Sequence, residues 1–190
     1  MKFLSLKSIG MAALLVFSFG FSQAQMKSSK AVKVGGSLMY PTNNIIQNAV
    51  HSKDHTTLVA AVKAAGLVQT LEGPGPFTVF APTNEAFDKL PAGTVSNLLK
   101  PENKAALQAV LTYHVVAGEL DSKILMQMIK DGGGKATLKT VQGGTLTAMM
   151  RGHHLWIMDE KGDRAMVTIK DVYQSNGVIH VINRVLLPNT

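Results

Sequence analysis

Helical and strand-like patterns occupy different parts of this chain. Between residues 45 and 114, apolar residues recur mainly at three- and four-residue steps. From residue 137 onward, short β-rich runs alternate with turns. Helices first and strands later argue for an α+β domain rather than for alternating βαβ units. Ile45, Ile46, Ala49 and Val50 predict a short first helix. Leu58, Val59, Ala61, Val62 and Ala65 line a second helix, with Thr56 or Thr57 as its cap and Gly66 as its stop. Leu107, Val110, Leu111 and His114 mark one face of a later helix. The strand-like runs are residues 137–141, 145–149, 155–158, 165–169 and 178–187, and Asn176-Gly177 turns into the last of them.

One early segment breaks the helical pattern. Residues 75–87 read GPFTVFAPTNEAF. Phe77 to Ala81 form a strand, with Phe80 in its apolar run, and Pro82 ends it. Thr83 or Asn84 then caps a helix that Phe87 anchors and that reaches Leu90. Glu85 sits in its first turn, where the helix dipole favours an acid.

The first residues lie outside this domain. Lys2 and Lys7 precede an uncharged, mostly apolar run over residues 9–21, followed by Ser22-Gln23-Ala24. That is the pattern of a secretory signal peptide over residues 1–24. Thirteen such residues are too few to span a bilayer, so no stable membrane span is expected after signal removal. Polar residues 25–41, with Gly35-Gly36, read as a flexible leader, and the domain as residues 42–188. The product is expected in the periplasm or outside the cell. Cysteine is absent, which excludes disulfides, thiolate metal sites and a lipidated cysteine anchor. The core alone must therefore stabilise the domain, which a chain of 190 residues permits.

The residues give no support for catalysis. There is no Gly-x-Ser-x-Gly elbow and no Walker lysine. His51 and His55 lack the glutamate of a zinc-protease motif and read, with His153 and His154, as surface histidines. Met126, Met128, Met149 and Met150 read as core fillers rather than as a copper site. His114 and His180 read as core histidines that need backbone partners. The net charge of +7 is scattered, without a basic stripe, so no nucleic acid is expected. Diffuse positive charge does favour acidic polysaccharides or anionic surfaces.

Three segments carry a resemblance. TVFAPTNEAF (residues 78–87), LTYHVVAG (111–118) and SNGVIHVINRVLLP (175–188) resemble the signature boxes of the fasciclin domain family, in order and spacing. The resemblance implies a wedge-shaped β-sandwich of about seven strands with several helices packed on one side. It also implies a non-catalytic module without cofactor or metal, for cell adhesion or extracellular-matrix binding. Cell-surface or matrix glycans or proteins are the implied partners. Thr78, Phe80, Pro82, Thr83, Asn84, Phe87, His114, Asn176, Gly177 and His180 fall on the structural motif. In periostin-type matrix members an Asp-Ile pair and a Tyr-His segment are linked to integrin binding. The matching positions are Asp171-Val172 and Tyr113-His114, with Val172 in place of isoleucine and Lys170 in place of proline. A periplasmic carrier of a small lipophilic ligand is the alternative that the apolar content permits.

Overall fold

The computed structural model describes residues 30–189. The expected signal peptide and residues 25–29 of the expected leader lie outside the described residues. The remainder of that leader is not a free tail. It forms a hairpin of β1 (Val32–Val34) and β2 (Ser37–Met39). Gly35 and Gly36, at φ 58° and 82°, make its turn, because both positions need left-handed backbone. Val34 and Met39 are buried in the core. Asn48 pins the hairpin, donating to the Tyr40 carbonyl at 2.8 Å and accepting from its N–H at 3.0 Å. Residues 32–39 of the expected leader are thus packed onto the core.

The helical part follows the apolar spacing. α1 (Ile45–Ala49) has a capping box between Asn44 and Gln47. A 3₁₀ turn, Lys53–His55, leads into α2 (Thr56–Ala65), which ends on left-handed Gly66. The cap of α2 differs from expectation. Neither Thr56 nor Thr57 caps it; Asn84 Oδ1 accepts from the Thr57 N–H at 3.0 Å and from Thr56 Oγ1 at 3.2 Å. His55 stands at the N-cap position without a side-chain cap bond, and the distant amide of Asn84 does the capping. α3 (Val68–Glu72) was not foreseen. β3 (Phe77–Pro82) retains Pro82 as its last paired residue. Thr83 caps α4 (Asn84–Asp88), its hydroxyl accepting from the Ala86 N–H at 3.3 Å. α5 (Thr94–Leu98), a proline-led 3₁₀ turn and α6 (Lys104–Tyr113) follow.

β4 (Val115–Ala117) is followed by α7 (Ser122–Asp131), a helix beyond those expected from the apolar spacing. Then come β5 (Lys135–Lys139), β6 (Thr145–Arg151), β7 (His154–Met158), β8 (Arg164–Gln174) and β9 (Gly177–Ile182). The sheet order is β4-β3-β9-β8-β7-β6-β5. β3 and β9 pair in parallel over six residues, Phe77 opposite Gly177 through Pro82 opposite Ile182. The other pairs are antiparallel. An isolated bridge between Val116 and Thr140 brings the two edges together, so the seven-stranded sheet nearly closes into a wedge. The expected α+β wedge of about seven strands with flanking helices is what the chain adopts.

Two apolar clusters fill it. One joins α1, α2, α3 and α6 to one face of β3 and β9, through Ala61, Val62, Leu111, Ile179 and Val181. The other lies inside the sheet beneath α7, through Phe80, Leu125, Ile129, Leu146, Ile157 and Leu186. A smaller cluster of Ala86, Phe87 and Val185 attaches α4 to the C-terminal segment. Phe87 is 7 % exposed. Phe87→Ala is expected to cost about 3–5 kcal/mol, read as a lowered urea midpoint, because it opens a cavity in the cluster that fastens the two motif segments. A variant of wild-type stability would show that the cluster holds nothing in place.

Candidate binding surface

The motif residues form a continuous set of internal bonds. Thr78 Oγ1 donates to the Gly118 carbonyl at 2.6 Å and accepts from the Leu120 N–H at 2.8 Å, tying β3 to the loop before α7. Phe80 stacks on His180 with ring centroids 5.7 Å apart. His180 Nε2 donates to the Leu120 carbonyl at 2.8 Å, and Nδ1 faces the Asp171 N–H at 3.3 Å. Asn176 donates to the Leu71 and Gly73 carbonyls at 2.8 and 2.9 Å and accepts from the Ile45 N–H at 3.0 Å. It thereby holds α1 and the end of α3 against the β8–β9 turn. Gly177 lies so close to β3 that a Cβ would meet the Phe77 carbonyl oxygen at 2.0 Å.

The positions matched to a binding role lie mostly inside. Tyr113 is fully buried; its hydroxyl donates to the Thr145 carbonyl at 2.7 Å and accepts from the Glu160 N–H at 3.1 Å. Burial pushes its phenol up to about 12. His114 Nδ1 donates to the Val110 carbonyl at 2.8 Å, which leaves Nε2 to accept from the Leu186 N–H at 3.0 Å. That assignment satisfies both ring nitrogens with a neutral imidazole. Val172 is 0 % exposed. A macromolecular ligand has no access to these three side chains as the domain stands.

Asp171 is half-buried and does a different job. It lies in β8 where the register to β9 slips between Ile169 and Val172, at φ 59°. The bulge turns its carboxylate toward α7. Oδ1 accepts from the Ser122 N–H at 2.6 Å, and Oδ2 accepts from the Ser122 hydroxyl. An acid at that helix start also suits the dipole. Asp171 therefore fastens α7 to the sheet.

The histidines divide unlike their expected roles. His51, His153 and His154 are exposed, but His55 is buried, with Nδ1 bonded to Ser52 Oγ at 2.8 Å. At the end of the 3₁₀ turn, it shares a small apolar space with Met39 of β2 and Val79 and Ala81 of β3. Burial pulls His55, His114 and His180 below the ordinary imidazole value, His114 to about 4. The methionines also divide: Met149 is buried, Met128 and Met150 are half-buried, and Met126 is 38 % exposed.

Two concavities bear on the adhesion and carrier readings. The first lies under α1, α2, α3 and α6, is lined by Ile45, Leu58, Val62, Leu71, Phe77 and Leu111, and holds about 60 Å³. The second is an open groove of about 490 Å³ where the sheet edges separate. Val116 and Ala117 of β4 form one wall; Thr137, Leu138 and Lys139 of β5, with Val141, form the other. Leu120 and Met128 lie between them. Val141 is 50 % exposed, while the Val141 N–H stitches the end of the groove to the Val115 carbonyl at 2.8 Å. Period-2 alternation in β5 turns Lys135, Thr137 and Lys139 outward and buries Ala136 and Leu138.

The fasciclin domain pattern matches residues 53–188. The chain belongs to the fasciclin domain family. It is 41 % identical to protein sll1483 of Synechocystis sp. over 184 residues, covering 95 % of each chain. It is 30 % identical to human periostin over 167 residues, 87 % of this chain but 18 % of periostin. The domain pair of fasciclin I, an insect cell adhesion molecule, superposes with a TM-score of 0.69 at 18 % identity, covering 83 % of this fasciclin domain chain and 57 % of that one. That likeness shows the shared fold. Among the described residues no helix is long and apolar enough to cross a membrane.

The buried imidazoles set a pH response. His114 is neutral in the fold down to about pH 4, whereas an unfolded imidazole protonates near pH 6.5. Between these values the unfolded chain binds more protons, so stability falls as pH falls. The expected loss from His114 is about 1.4 kcal/mol per pH unit below pH 6.5, measured by urea unfolding at pH 7 and pH 5. His114→Gln should flatten that slope; an unaltered slope would contradict the assignment. Asp171→Ala should cost about 1–3 kcal/mol through the lost contacts to Ser122. Hydrogen exchange should show the loss concentrated at the start of α7.

Proposed function

We propose that this fasciclin domain is an exported, non-catalytic adhesion module that binds surface polysaccharide, matrix or envelope components through the groove between β4 and β5. The single observation that carries this reading is the groove itself. It is the roomiest concavity described above, it is open, and its outer wall presents hydroxyl, ammonium and apolar groups side by side. Such a mixture suits an extended glycan, whose sugar faces are apolar and whose edges hydrogen-bond. The positive balance of the chain favours acidic polysaccharides. Export to the periplasm or beyond accords with the role of insect fasciclin I as a cell adhesion molecule. A shallow groove gives weak single-site binding, and several copies at a surface raise it by effective concentration.

The lipophilic-carrier alternative draws on the cavity under α1–α3. Its volume of about 60 Å³ is well below the roughly 150 Å³ that accommodates benzene in an engineered apolar cavity. A carrier role would require those helices to move apart.

The test is binding of the processed chain to immobilised acidic and neutral polysaccharides at low and physiological salt. Acidic glycans should be held, and salt should weaken the binding as charges are screened. Thr137→Glu with Lys139→Glu should reduce binding by about tenfold or more without shifting the melting temperature, because both side chains are exposed. Unchanged binding in that variant would move the site away from the groove. No polysaccharide, matrix or envelope binding at any salt would remove the adhesion reading.

A further inference from the structure

A separate cleft of about 160 Å³ lies between the start of α7, the β6–β7 hairpin and β8. Buried Leu155 and Val167 lie at its base, and Met126, Met150, His153 and His154 stand around it. The geometry points to a binding site for a soft monovalent cation, Cu(I) or its analogue Ag(I), held by the thioethers of Met126 and Met150 and an imidazole of His153 or His154. Thioether sulfur is a poor ligand for hard ions, and its combination with imidazole selects soft ones. Among the described residues no group of three or more histidine and carboxylate side chains is placed to hold a metal ion. The mixed cleft therefore has no competing set of that kind.

The ligands come from braced elements. Ser122 is bonded to Asp171 through its N–H and hydroxyl, which fixes the first turn of α7 on β8. Met126 lies four residues on, over the same helix face, and so inherits that position. On the other side Arg151 pairs with His154 and Met150 with Leu155. Only Gly152 and His153 remain in the turn, and Gly152 at φ 59° supplies the left-handed backbone that a two-residue hairpin needs. The register sets His154 on the Arg151 face and Met150 on the Leu155 face, and the tight turn at the hairpin end lets Met150, His153 and His154 all line the cleft. Lys170 also lines the cleft, beside the carboxylate-bearing Asp171. Core filling does not account for Met126, which remains substantially exposed while Leu125 and Ile129 take the buried face of α7. This site is independent of the adhesion groove, which shares none of its residues.

The experiment titrates the processed chain with Ag(I) in chloride-free buffer, following methionine methyl resonances, and with Cu(I) supplied anaerobically as a coloured chelate. One ion per chain should bind, and the Met126 and Met150 methyls should shift together with the His153 or His154 ring. Met126→Leu and Met150→Leu keep the volume, so each should lower the affinity by about tenfold or more with the melting temperature unchanged. Three results would overturn the assignment: no methyl shift at one equivalent, shifts confined to other methionines, or wild-type affinity in the double leucine variant. Zn(II) binding of equal strength in that double variant would equally reduce the site to its histidines and refute it.

Discussion

The parallel pairing of β3 with β9 is the constraint on which the rest of the structure depends. It joins segments about a hundred residues apart and sets them second and third in the order of a seven-stranded sheet, inside the β4 edge. A parallel pair in this position is covered on both faces, by helices on one side and by the folded-back sheet on the other. All six residues of β9 are buried. No water reaches the polar groups of this region, so each must find a partner within the protein. Thr78, His114, Asn176 and His180 supply those partners, each linking a strand or turn to a different neighbouring element. The close approach at Gly177 belongs to the same requirement.

This internal bonding separates family identity from ligand recognition. The residues that make the chain recognisable as a fasciclin domain are those that close its interior. Tyr113, His114 and Val172 spend their polar or apolar groups on the core, and Asp171 spends its carboxylate on α7. The surface left over belongs to the strands and helix that complete the wedge. There the sheet stops short of closure, and the gap between β4 and β5 combines concavity with outward-facing Thr137 and Lys139. A scaffold held rigid from within can carry different surfaces without repacking its centre.

Much of the fold was legible in local pattern. Gly66 stops α2, Thr83 caps α4, and His114 falls in phase with Leu107 and Leu111, as the spacing indicates. The misreadings share one cause, which is that a remote group replaced a local signal. Asn84 caps α2 from across a helix junction. Gly35-Gly36 reads as looseness until Val34 and Met39 are given a core to enter. β8 reads as ending at Ile169 because its bulges break the two-residue alternation just where Asp171 turns toward α7. α7 itself carries exposed Ile124 and Met126 beside its buried stripe, which blurs its helical face.

The sequence by itself determined the α+β class, the family and the structural character of the motif residues. Periodicity, caps and the three boxes act over a few residues, and backbone sterics and side-chain burial read them directly. Only the tertiary structure decided which surfaces remain for binding. The open seam between β4 and β5 and the methionine–histidine cleft each assemble residues from separate elements. Their concavity comes from where the sheet fails to close and from how α7 is fastened across it, and neither property resides in any one segment.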